Sequence, residues 1–475
     1  MTEKTNLLLE DHPIEETSLK YMLKLAGPMV VTTTSFTIMQ FVDRFMVSRL
    51  GTEALAAILP ASFASFVPAS LVMAAMISVN TFVSQSLGRS EKHECSNYCW
   101  QAIYMGLSFS LVVLAIMWPT APWIFRTLGH EPAVVDLEVI YLRIILYTHF
   151  LMVFVWSSSQ FFMGIHRPII TMYAALCSQI VNVAANYILI FGKFGFPAMG
   201  IAGAAWGTFI GTSIGAGIRM LVFLNGDINS TFKSRLAMNV DFSKMRDLLK
   251  VGFPAGFGFM INMAGWAIIL FGLVGKFGKE SLASTSAVFS CMNASFMPIV
   301  GLGTALTAAV GKSIGRGRKD VVIKQTNVCL RVALIYMGFV GLCFFVFRND
   351  LMTFWSSDDE VIKIGTNIFV FAAIFQIFDA VLLTYNNALR GAGDTLWLAA
   401  VETLASVIIM GLGGFCMLRF FPEFGARGPW SAATAKIIAV AFANRWRFKS
   451  NKWMKIDLFK RRAIGAPVEI DAVIE

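Results

Sequence analysis

The chain has 475 residues, of which 56% are hydrophobic and only 14% charged, and its formal net charge at pH 7 is +10. Soluble globular proteins are about 45–50% apolar and about 25% charged, so this composition excludes a soluble enzyme, a disordered protein and a disulfide scaffold. Long apolar runs without polar alternation favour membrane-spanning helices over a β-barrel. We therefore predict an all-α integral membrane protein.

Apolar runs between polar breaks predict twelve membrane-spanning helices, because a helix needs about 20 apolar residues to cross the hydrocarbon layer. The predicted spans, numbered 1 to 12 in chain order, lie near residues 19–47, 54–87, 95–120, 135–163, 168–191, 200–224, 247–275, 281–311, 325–347, 362–389, 396–418 and 428–444. Spans 1–6 form an N-lobe, 19–224, and spans 7–12 form a C-lobe, 247–444. The remaining segments are an N-terminal tail, 1–18, a linker, 225–246, and a basic C-terminal tail, 445–475.

Lysine and arginine are concentrated in the segments on the same side as the N-terminus, among them the linker and the C-terminal tail. Since cytoplasmic loops carry an excess of these residues, we expect both termini on the cytoplasmic side of a plasma (inner) membrane. The simplest interpretation of the basic tail is a topology anchor, and binding to anionic lipid is the alternative.

An internal repeat relates the two halves. VSRLGTEALAA at 47–57 matches VGKFGKESLAS at 274–284, and VSQSLGRSEK at 83–92 matches VGKSIGRGRK at 310–319, with the same offset in both cases. Because six spans is an even number, the halves enter the membrane in the same orientation, and their pseudo-twofold axis lies along the membrane normal. Such paired bundles build transporters with a site between the halves near mid-membrane.

Polar side chains inside the spans are the most informative residues, because an unpaired charge there costs at least about 2.5–3.5 kcal/mol. Asp43 lies in the outer part of span 1, and Thr208 in span 6 lies at a similar depth. In span 5, Gln179, Asn182 and Asn186 are spaced i, i+3, i+7 and share one face. Their oxygens suit Na⁺ or a proton, so we predict a cation-coupling site. The alternative is a polar clasp that only packs the helices.

A second group surrounds Asp379, near the middle of span 10. Gln376 and Asn386 share roughly one face with it, Tyr385 lies beside Asn386, and Asn262 is on span 7, which could face Asp379. A carboxylate at this depth attracts cations, so we predict a substrate-binding site here. The alternative is a buried carboxylate that is hydrogen-bonded and has no part in transport.

The two acids do not occupy equivalent places in the repeat. Asp43 corresponds to Leu270, and Asp379 corresponds to Met152. Because each half carries its acid at a different place, a shared structural role is disfavoured.

Other residues in the spans have simpler interpretations. Glu402 in span 11 and Lys436 in span 12 lie at similar distances from the inner face. We therefore predict that they form a structural ion pair, and a functional role is the alternative. His149 is interpreted as a hydrogen-bonded core residue. Pro28 and Pro254 each remove a helical hydrogen bond, which predicts either a hinge or a static bend.

The sequence contains no nucleotide-binding loop and no HExxH or GxSxG motif, so we expect no enzymatic activity and no cofactor. Without an ATP site, uphill transport would draw on a gradient of Na⁺ or H⁺. The expected partners are small molecules, one of these ions and the lipid bilayer, with no nucleic acid.

The chain resembles the multidrug and toxic compound extrusion (MATE) family. The motifs VDRFMVSRLGTEALAA, MGIHRPI, NYILIFGKFGFPAMGIAGAAWGT and DAVLLTYNNALRGAGDT occur in that order across nearly the whole length. The resemblance implies two six-helix lobes that form a V and rock to give alternating access. It also implies efflux of cationic, amphipathic compounds in exchange for Na⁺ or H⁺, and a monomer can contain the full path.

The resemblance extends to the proposed sites. In the family an acid at the place of Asp43 belongs to an N-lobe cation site, the span-5 pair matches Asn182 and Asn186, and the C-lobe acid matches Asp379. NorM-type members have a glutamate on span 7 where this chain has Asn262, which moves the expected ion coupling to the N-lobe.

Two other functions are compatible with such a membrane protein. A flippase for a lipid-linked sugar or other amphipath should have a cationic cavity for a pyrophosphate, whereas acids lie mid-membrane here. A membrane-embedded enzyme such as a glycosyltransferase usually has a large loop, whereas the longest interior loop here is the linker. An antiporter is therefore the function predicted.

Overall fold

The computed structural model describes residues 15–127 and 132–459, and the described part of the chain is helical with no β-strand. The N-lobe contains α1 Leu19–Ser48, α2 Thr52–Gly88, α3 Lys92–Thr127, α4 Pro132–Gly164, α5 Pro168–Phe191 and α6 Ile201–Leu224. The C-lobe contains α7 Phe242–Ala267, α8 Lys279–Gly315, α9 Lys319–Val346, α10 Asp359–Gly391, α11 Thr395–Phe420 and α12 Arg427–Lys449. Most of the predicted N-terminal tail and the end of the C-terminal tail lie outside the described residues.

Two helices of the C-lobe contain π-helical segments. Helix α7 continues as a π-helix, Ile268–Leu273, and a 3₁₀ turn, Val274–Phe277. Helix α11 contains the π-helical segment Ser406–Leu412. Two short helices, Gly226–Phe232 and Arg348–Trp355, lie in the connections between the long helices.

Ten of the long helices in the described residues have the length and apolar composition needed to cross a membrane. They correspond to ten of the twelve predicted spans. The other two predicted spans, 247–275 and 428–444, coincide with α7 and its continuation and with α12, which are helical there but do not belong to the ten. The all-α membrane fold with two lobes is confirmed.

The internal repeat is visible in the backbone at the turns that precede α2 and α8. Gly51 has φ +117° and Gly278 has φ +99°. Residues with a side chain rarely adopt these angles, so both turns require glycine. Glu53 and Glu280 follow in the first helical turn, where the helix dipole favours a carboxylate. The same local structure therefore starts the second helix of each lobe.

The buried apolar clusters show where the lobes meet. Toward the Asp43 end of α1, one cluster includes Val47 and Phe125, and all its described members belong to the N-lobe. A second cluster, around Phe369 and Trp430, has described members from the C-lobe alone. The two clusters toward the opposite end each contain residues of both lobes, such as Met22 with Leu306 and Phe82 with Leu248. Apolar packing therefore joins the lobes at the end opposite Asp43.

At this joined end, where Gly88 and Gly315 meet, the backbones of α2 and α8 touch. A Cβ atom on Gly315 would lie 2.1 Å from the carbonyl oxygen of Gln85, and one on Gly88 would lie 2.2 Å from that of Lys312. Nε2 of Gln85 also donates to the carbonyl oxygen of Gly391 at 2.9 Å. Because Gly88 and Gly315 are equivalent in the repeat, the pseudo-twofold axis passes between them.

Segments at both ends of the described chain cross to the opposite lobe at the joined end. Glu16, which precedes α1, pairs with Lys312 at 3.2 Å and with Arg316 at 2.8 Å on α8. Phe459, which follows α12, packs edge-on against Phe82 of α2 with ring centroids 6.1 Å apart. Both segments therefore strengthen the contact between the lobes.

The linker, 225–246, runs along α3 and fixes the start of α7. Nε2 of Gln101 donates to the carbonyl oxygen of Asn239 at 2.8 Å. Asp241 caps α7, and its Oδ1 accepts the backbone N–H of Lys244 at 3.2 Å. Partial burial disfavours the charge of Asp241, but hydrogen bonds from the backbone and ammonium of Lys244 outweigh it and lower the pKa of the carboxyl.

The close contact at the joined end predicts the effect of Gly315→Ala. The added methyl group would collide with the carbonyl oxygen of Gln85, so we expect this conformation to lose about 1–3 kcal/mol of stability. Thermal unfolding in detergent should show a lower Tm, and spin labels at Arg89 and Arg318 should move apart. Gly338→Ala on α9 is the matched control, because its Cβ meets nothing within 4 Å. Equal behaviour of the two variants would contradict the contact.

Candidate coupling and substrate sites

Glycines of α6 bring the polar face of α5 into close contact. A Cβ atom on Gly207 would lie 1.9 Å from Oδ1 of Asn186, and one on Gly211 would lie 2.6 Å from Cβ of Asn182. Small residues at this spacing let membrane helices pack closely. The four-residue spacing of these glycines is visible in the sequence GAAWGTFIGTSIG at 203–215. It was not used to predict this contact, because only polar side chains were considered. The glycines that face α5 recur every four residues: Gly203, Gly207, Gly211 and Gly215.

Three helices contribute to a chain of hydrogen bonds that ends on Asp43. Nδ2 of Asn186 donates to Oδ1 of Asp43 at 2.7 Å and to Oδ1 of Asn182 at 3.3 Å. Nδ2 of Asn182 donates to Oγ1 of Thr208 at 3.4 Å, and that hydroxyl donates to the carbonyl oxygen of Ala204 at 3.0 Å. The structure thus places four of the five residues predicted for coupling in one cluster, the N-lobe cluster (Asp43, Asn182, Asn186 and Thr208).

The fifth predicted residue, Gln179, lies one turn from Asn182 on α5, on the side away from Asp43. It is half-buried, and it takes no part in this chain of hydrogen bonds among the residues described. The sequence did not predict Tyr141 of α4, which is buried, hydrogen-bonded to Ser62 and within electrostatic range of Asp43. A single tyrosine in an apolar span has no spacing pattern that would have indicated this position.

The oxygens of the N-lobe cluster suit a small monovalent cation. Among the described residues, Oδ1 of Asn186 is buried without a hydrogen-bond partner, and the side chain of Asp43 is half-buried. In the part of the chain that the structure describes, no group of three or more His, Cys, Asp or Glu side chains could hold a metal ion. Na⁺ would therefore be held by one carboxylate with amide and hydroxyl oxygens, whereas a proton would need only the Asp43 carboxylate.

In the C-lobe, Asp379 is buried but not saturated with hydrogen bonds. Its side chain lies on α10 with 3% exposure, and its Oδ2 has no hydrogen-bond partner among the described residues. One turn away, Nε2 of Gln376 donates to Oγ of Ser295 on α8 at 2.8 Å, while Oε1 of the same amide has no partner there. Two acceptor oxygens of α10 are therefore available to a donor or a cation.

The two other residues predicted on α10 lie further along the helix. Tyr385 is buried, and its ring lies 5.4 Å from that of Phe448 on α12. Asn386 has a buried Oδ1 without a hydrogen-bond partner in the described structure. The next residue, Asn387, makes the contact with α8, since Oγ1 of Thr307 donates to its Oδ1 at 3.2 Å.

The sequence places Asn262 on a helix that could face Asp379, and no hydrogen bond joins the two side chains among the residues described. Nδ2 of Asn262 instead donates to Oε1 of Glu402 on α11, and the same oxygen accepts from the ammonium of Lys436 on α12. The ion pair expected between Glu402 and Lys436 is thus present. Both charged groups lie within electrostatic range of Asp379. We call Asn262, Asp379, Glu402 and Lys436 the C-lobe cluster.

The two prolines lie inside helices that continue through them. Pro28 is within α1 and Pro254 is within α7. A proline within a continuous helix is compatible with a hinge and with a static bend, so the hinge stays a prediction. Nε2 of His149 lies 2.8 Å from Oγ of Ser65, a hydrogen-bonded core position of the kind expected.

Two repeated helical lobes, joined at one end and carrying buried polar clusters within apolar helices, are the architecture of a multi-pass membrane transporter. The chain belongs to the MatE family, whose family model matches residues 28–188 in the N-lobe and 254–413 in the C-lobe. The resemblance to the MATE family found in the sequence is therefore confirmed.

Similar proteins cover nearly the whole chain. A protein of Thermotoga maritima described as a probable multidrug resistance protein NorM is 26% identical over 450 residues, which are 94% of this chain and 95% of the relative. A protein of Shewanella oneidensis with the same description is 27% identical over 444 residues, 89% and 92% of the two chains. The crystal structure of the eukaryotic MATE transporter AtDTX14 has a TM-score of 0.84 at 19% identity, covering 96% of this chain and 100% of that one. This last comparison supports the fold.

The contact between α5 and α6 predicts that Gly207→Ala disrupts the N-lobe cluster. The added Cβ would overlap Oδ1 of Asn186 and push its amide away from Asp43, so we expect a loss of about 1–3 kcal/mol in stability and of cation-driven transport. Gly217→Ala on the same helix meets nothing within 4 Å and should keep both. Thermal unfolding and transport in proteoliposomes measure the two effects, and wild-type values for Gly207→Ala would refute the packing argument.

Proposed function

We propose that the protein is a secondary active antiporter that exports cationic, amphipathic organic compounds in exchange for Na⁺ or H⁺. The family and the multidrug resistance names of the NorM relatives support multidrug efflux. The observation that carries the exchange is the carboxylate of Asp43 inside a spanning helix, bonded to an amide of Asn186 whose oxygen lacks a partner in the described residues. A charge in that position needs a cation or a proton for part of the cycle.

Helix α1 links this carboxylate to the contact between the lobes. A Cβ atom on Gly301 of α8 would lie 2.7 Å from the backbone nitrogen of Val30, and Oγ1 of Thr33 donates to the carbonyl oxygen of Met297 at 2.9 Å. About 13 residues separate Val30 from Asp43, roughly 20 Å along a helix. A change at Asp43 can therefore be transmitted to the C-lobe by movement of one helix.

The coupling step follows from competition for the carboxylate. A proton on Asp43 removes the charge that strengthens its hydrogen bond from the amide of Asn186, whereas Na⁺ draws amide and hydroxyl oxygens toward the carboxylate. Either ion therefore changes how that end of α1 packs against α5. The helix then bends near Pro28 and changes its packing against α8, which favours release of the substrate outward. Each ligand acts only through its different affinity for the two conformations.

The substrate site lies in the C-lobe at Asp379, whose charge attracts the cation. Oxygens of Gln376 and Asn386 without partners in the described structure add acceptors, and polarizable Met and aromatic side chains suit flat apolar cations. The lobes separate at the joined end and approach each other at the opposite end. This movement gives alternating access within one monomer. The joined end faces the cytoplasm together with both termini, in a plasma (inner) membrane, because lysine and arginine accumulate on that side.

Asp43→Asn tests the coupling role. The amide is nearly isosteric but cannot take up a proton or match the charge of Na⁺, so gradient-driven efflux of ethidium from proteoliposomes should fall at least about tenfold. Asp227→Asn, an exposed acid in the linker, is the matched control and should transport like the wild type. Imposing a Na⁺ gradient or a pH gradient alone identifies the driving ion, and wild-type efflux by Asp43→Asn would refute the proposal.

A further inference from the structure

The C-lobe cluster joins three helices through a single carboxylate oxygen. Oε1 of Glu402 on α11 accepts from Asn262 on α7 and from Lys436 on α12. The side chain of Lys436 is 1% exposed and that of Glu402 is 12% exposed. These charges are therefore matched inside the lobe and not by water.

A fourth helix, α10, carries a second buried carboxylate within electrostatic range of this pair. Asp379 on α10 is 3% exposed, lies within electrostatic range of Lys436 and Glu402, and has an Oδ2 without a hydrogen-bond partner in the described residues. Two carboxylates and one ammonium carry a formal charge of about −1 in total. Because like charges repel strongly where water is excluded, the ammonium is needed by both carboxylates.

The chemistry of the ammonium allows it to serve both acids. A lysine ammonium has three donors on a flexible stem, and one of them is used by Glu402. The acceptors that lack a partner in the described structure, Oδ2 of Asp379 and Oε1 of Gln376, lie one turn apart on α10. Rotation of this flexible stem is the movement by which the ammonium would exchange its partners.

We propose that Lys436 is the resident counter-cation of the C-lobe site. While a cationic substrate occupies Asp379, the ammonium pairs with Glu402, and once the substrate has left, it bridges Glu402 and Asp379. The C-lobe then releases its substrate without binding a second coupling ion. This inference rests on the proposed function, in which Asp379 binds the cation.

The N-lobe cluster differs from the C-lobe cluster in this respect. The hydrogen-bonding partner of Asp43 is the neutral amide of Asn186, which is bonded in turn to the amide of Asn182. No lysine or arginine is hydrogen-bonded to Asp43 among the described residues. A mobile ion therefore balances the N-lobe, whereas a side chain of the protein itself balances the C-lobe.

The test compares variants of the full-length protein that change the charge of the C-lobe cluster by defined amounts. Glu402→Gln leaves a neutral cluster in which Lys436 pairs with Asp379 alone, and Lys436→Met leaves two unmatched carboxylates. The double variant restores a single negative charge without a resident cation, and Lys436→Arg keeps the ammonium's charge. The affinity for tetraphenylphosphonium is measured by calorimetry in nanodiscs at fixed pH and Na⁺, with Tm as the measure of folding.

We expect Glu402→Gln to raise the Kd for the probe at least about tenfold. Without the Glu402 carboxylate, Lys436 pairs with Asp379 alone and competes with the probe for it. Lys436→Met should lower the Kd about tenfold and Lys436→Arg should stay near the wild type. The double variant has no lysine to compete for Asp379, so it should bind the probe more tightly than the wild type does. If Glu402→Gln does not fold, the contrast between Lys436→Met and Lys436→Arg still decides the matter.

A purely structural ion pair predicts a different result. The single variants would then lose Tm, but their folded fraction would bind the probe like the wild type, and this outcome would overturn the inference. Asp379→Asn separates the two proposals. If it binds the probe as tightly as the wild type does, the proposed substrate site fails, whatever Lys436 does.

Discussion

The absence of water in the hydrocarbon layer is the constraint on which the rest of this structure depends. Inside the layer, each polar group must find its partner within the protein. Asp43 is bonded to a chain of amides, and Glu402 is bonded to an amide and an ammonium. Polar groups with an oxygen that lacks a partner in the described structure, such as Asn186 and Asp379, are therefore the positions proposed to bind a transported cation.

Close packing of small residues supplies the geometry that these polar groups need. The glycines of α6 let Asn182 and Asn186 lie directly against the backbone of α6. The same device recurs at the joined end, where Gly88 and Gly315 bring α2 and α8 together. In a bilayer the lipid competes for apolar surface, so helix association depends on such close fits. Packed interfaces of this kind have discrete arrangements, which suits a transporter that alternates between two states.

The sequence predicts features that depend on the position of a residue along its own helix. It does not predict contacts that depend on how two helices are rotated about their axes relative to each other. Depth and helical face were enough to bring Asp43, Asn186 and Thr208 together, because residues at equal depth meet when their helices pack side by side, as α1, α5 and α6 do here. The hydrogen bond between Asn262 and Glu402 was not predicted, for the opposite reason. Its neighbour depends on how α7 and α11 are rotated, and no period of 3.6 residues describes two helices that contain π-helical segments.

The two lobes share the same backbone arrangement but carry their polar residues at different positions. Gly51 and Gly278 start equivalent helices, and equivalent glycines meet on the pseudo-twofold axis, so the backbone has kept its symmetry. The polar clusters have not, since one acid lies on α1 and the other on α10, the fourth helix of its lobe. In the proposed mechanism, the lobe whose acid has only neutral hydrogen-bonding partners in the described structure exchanges ions with the surroundings, whereas the lobe with a lysine near its acid does not. The proposed consequence of this asymmetry of charge is that one lobe responds to the gradient and the other to the substrate, with α1 in contact with both.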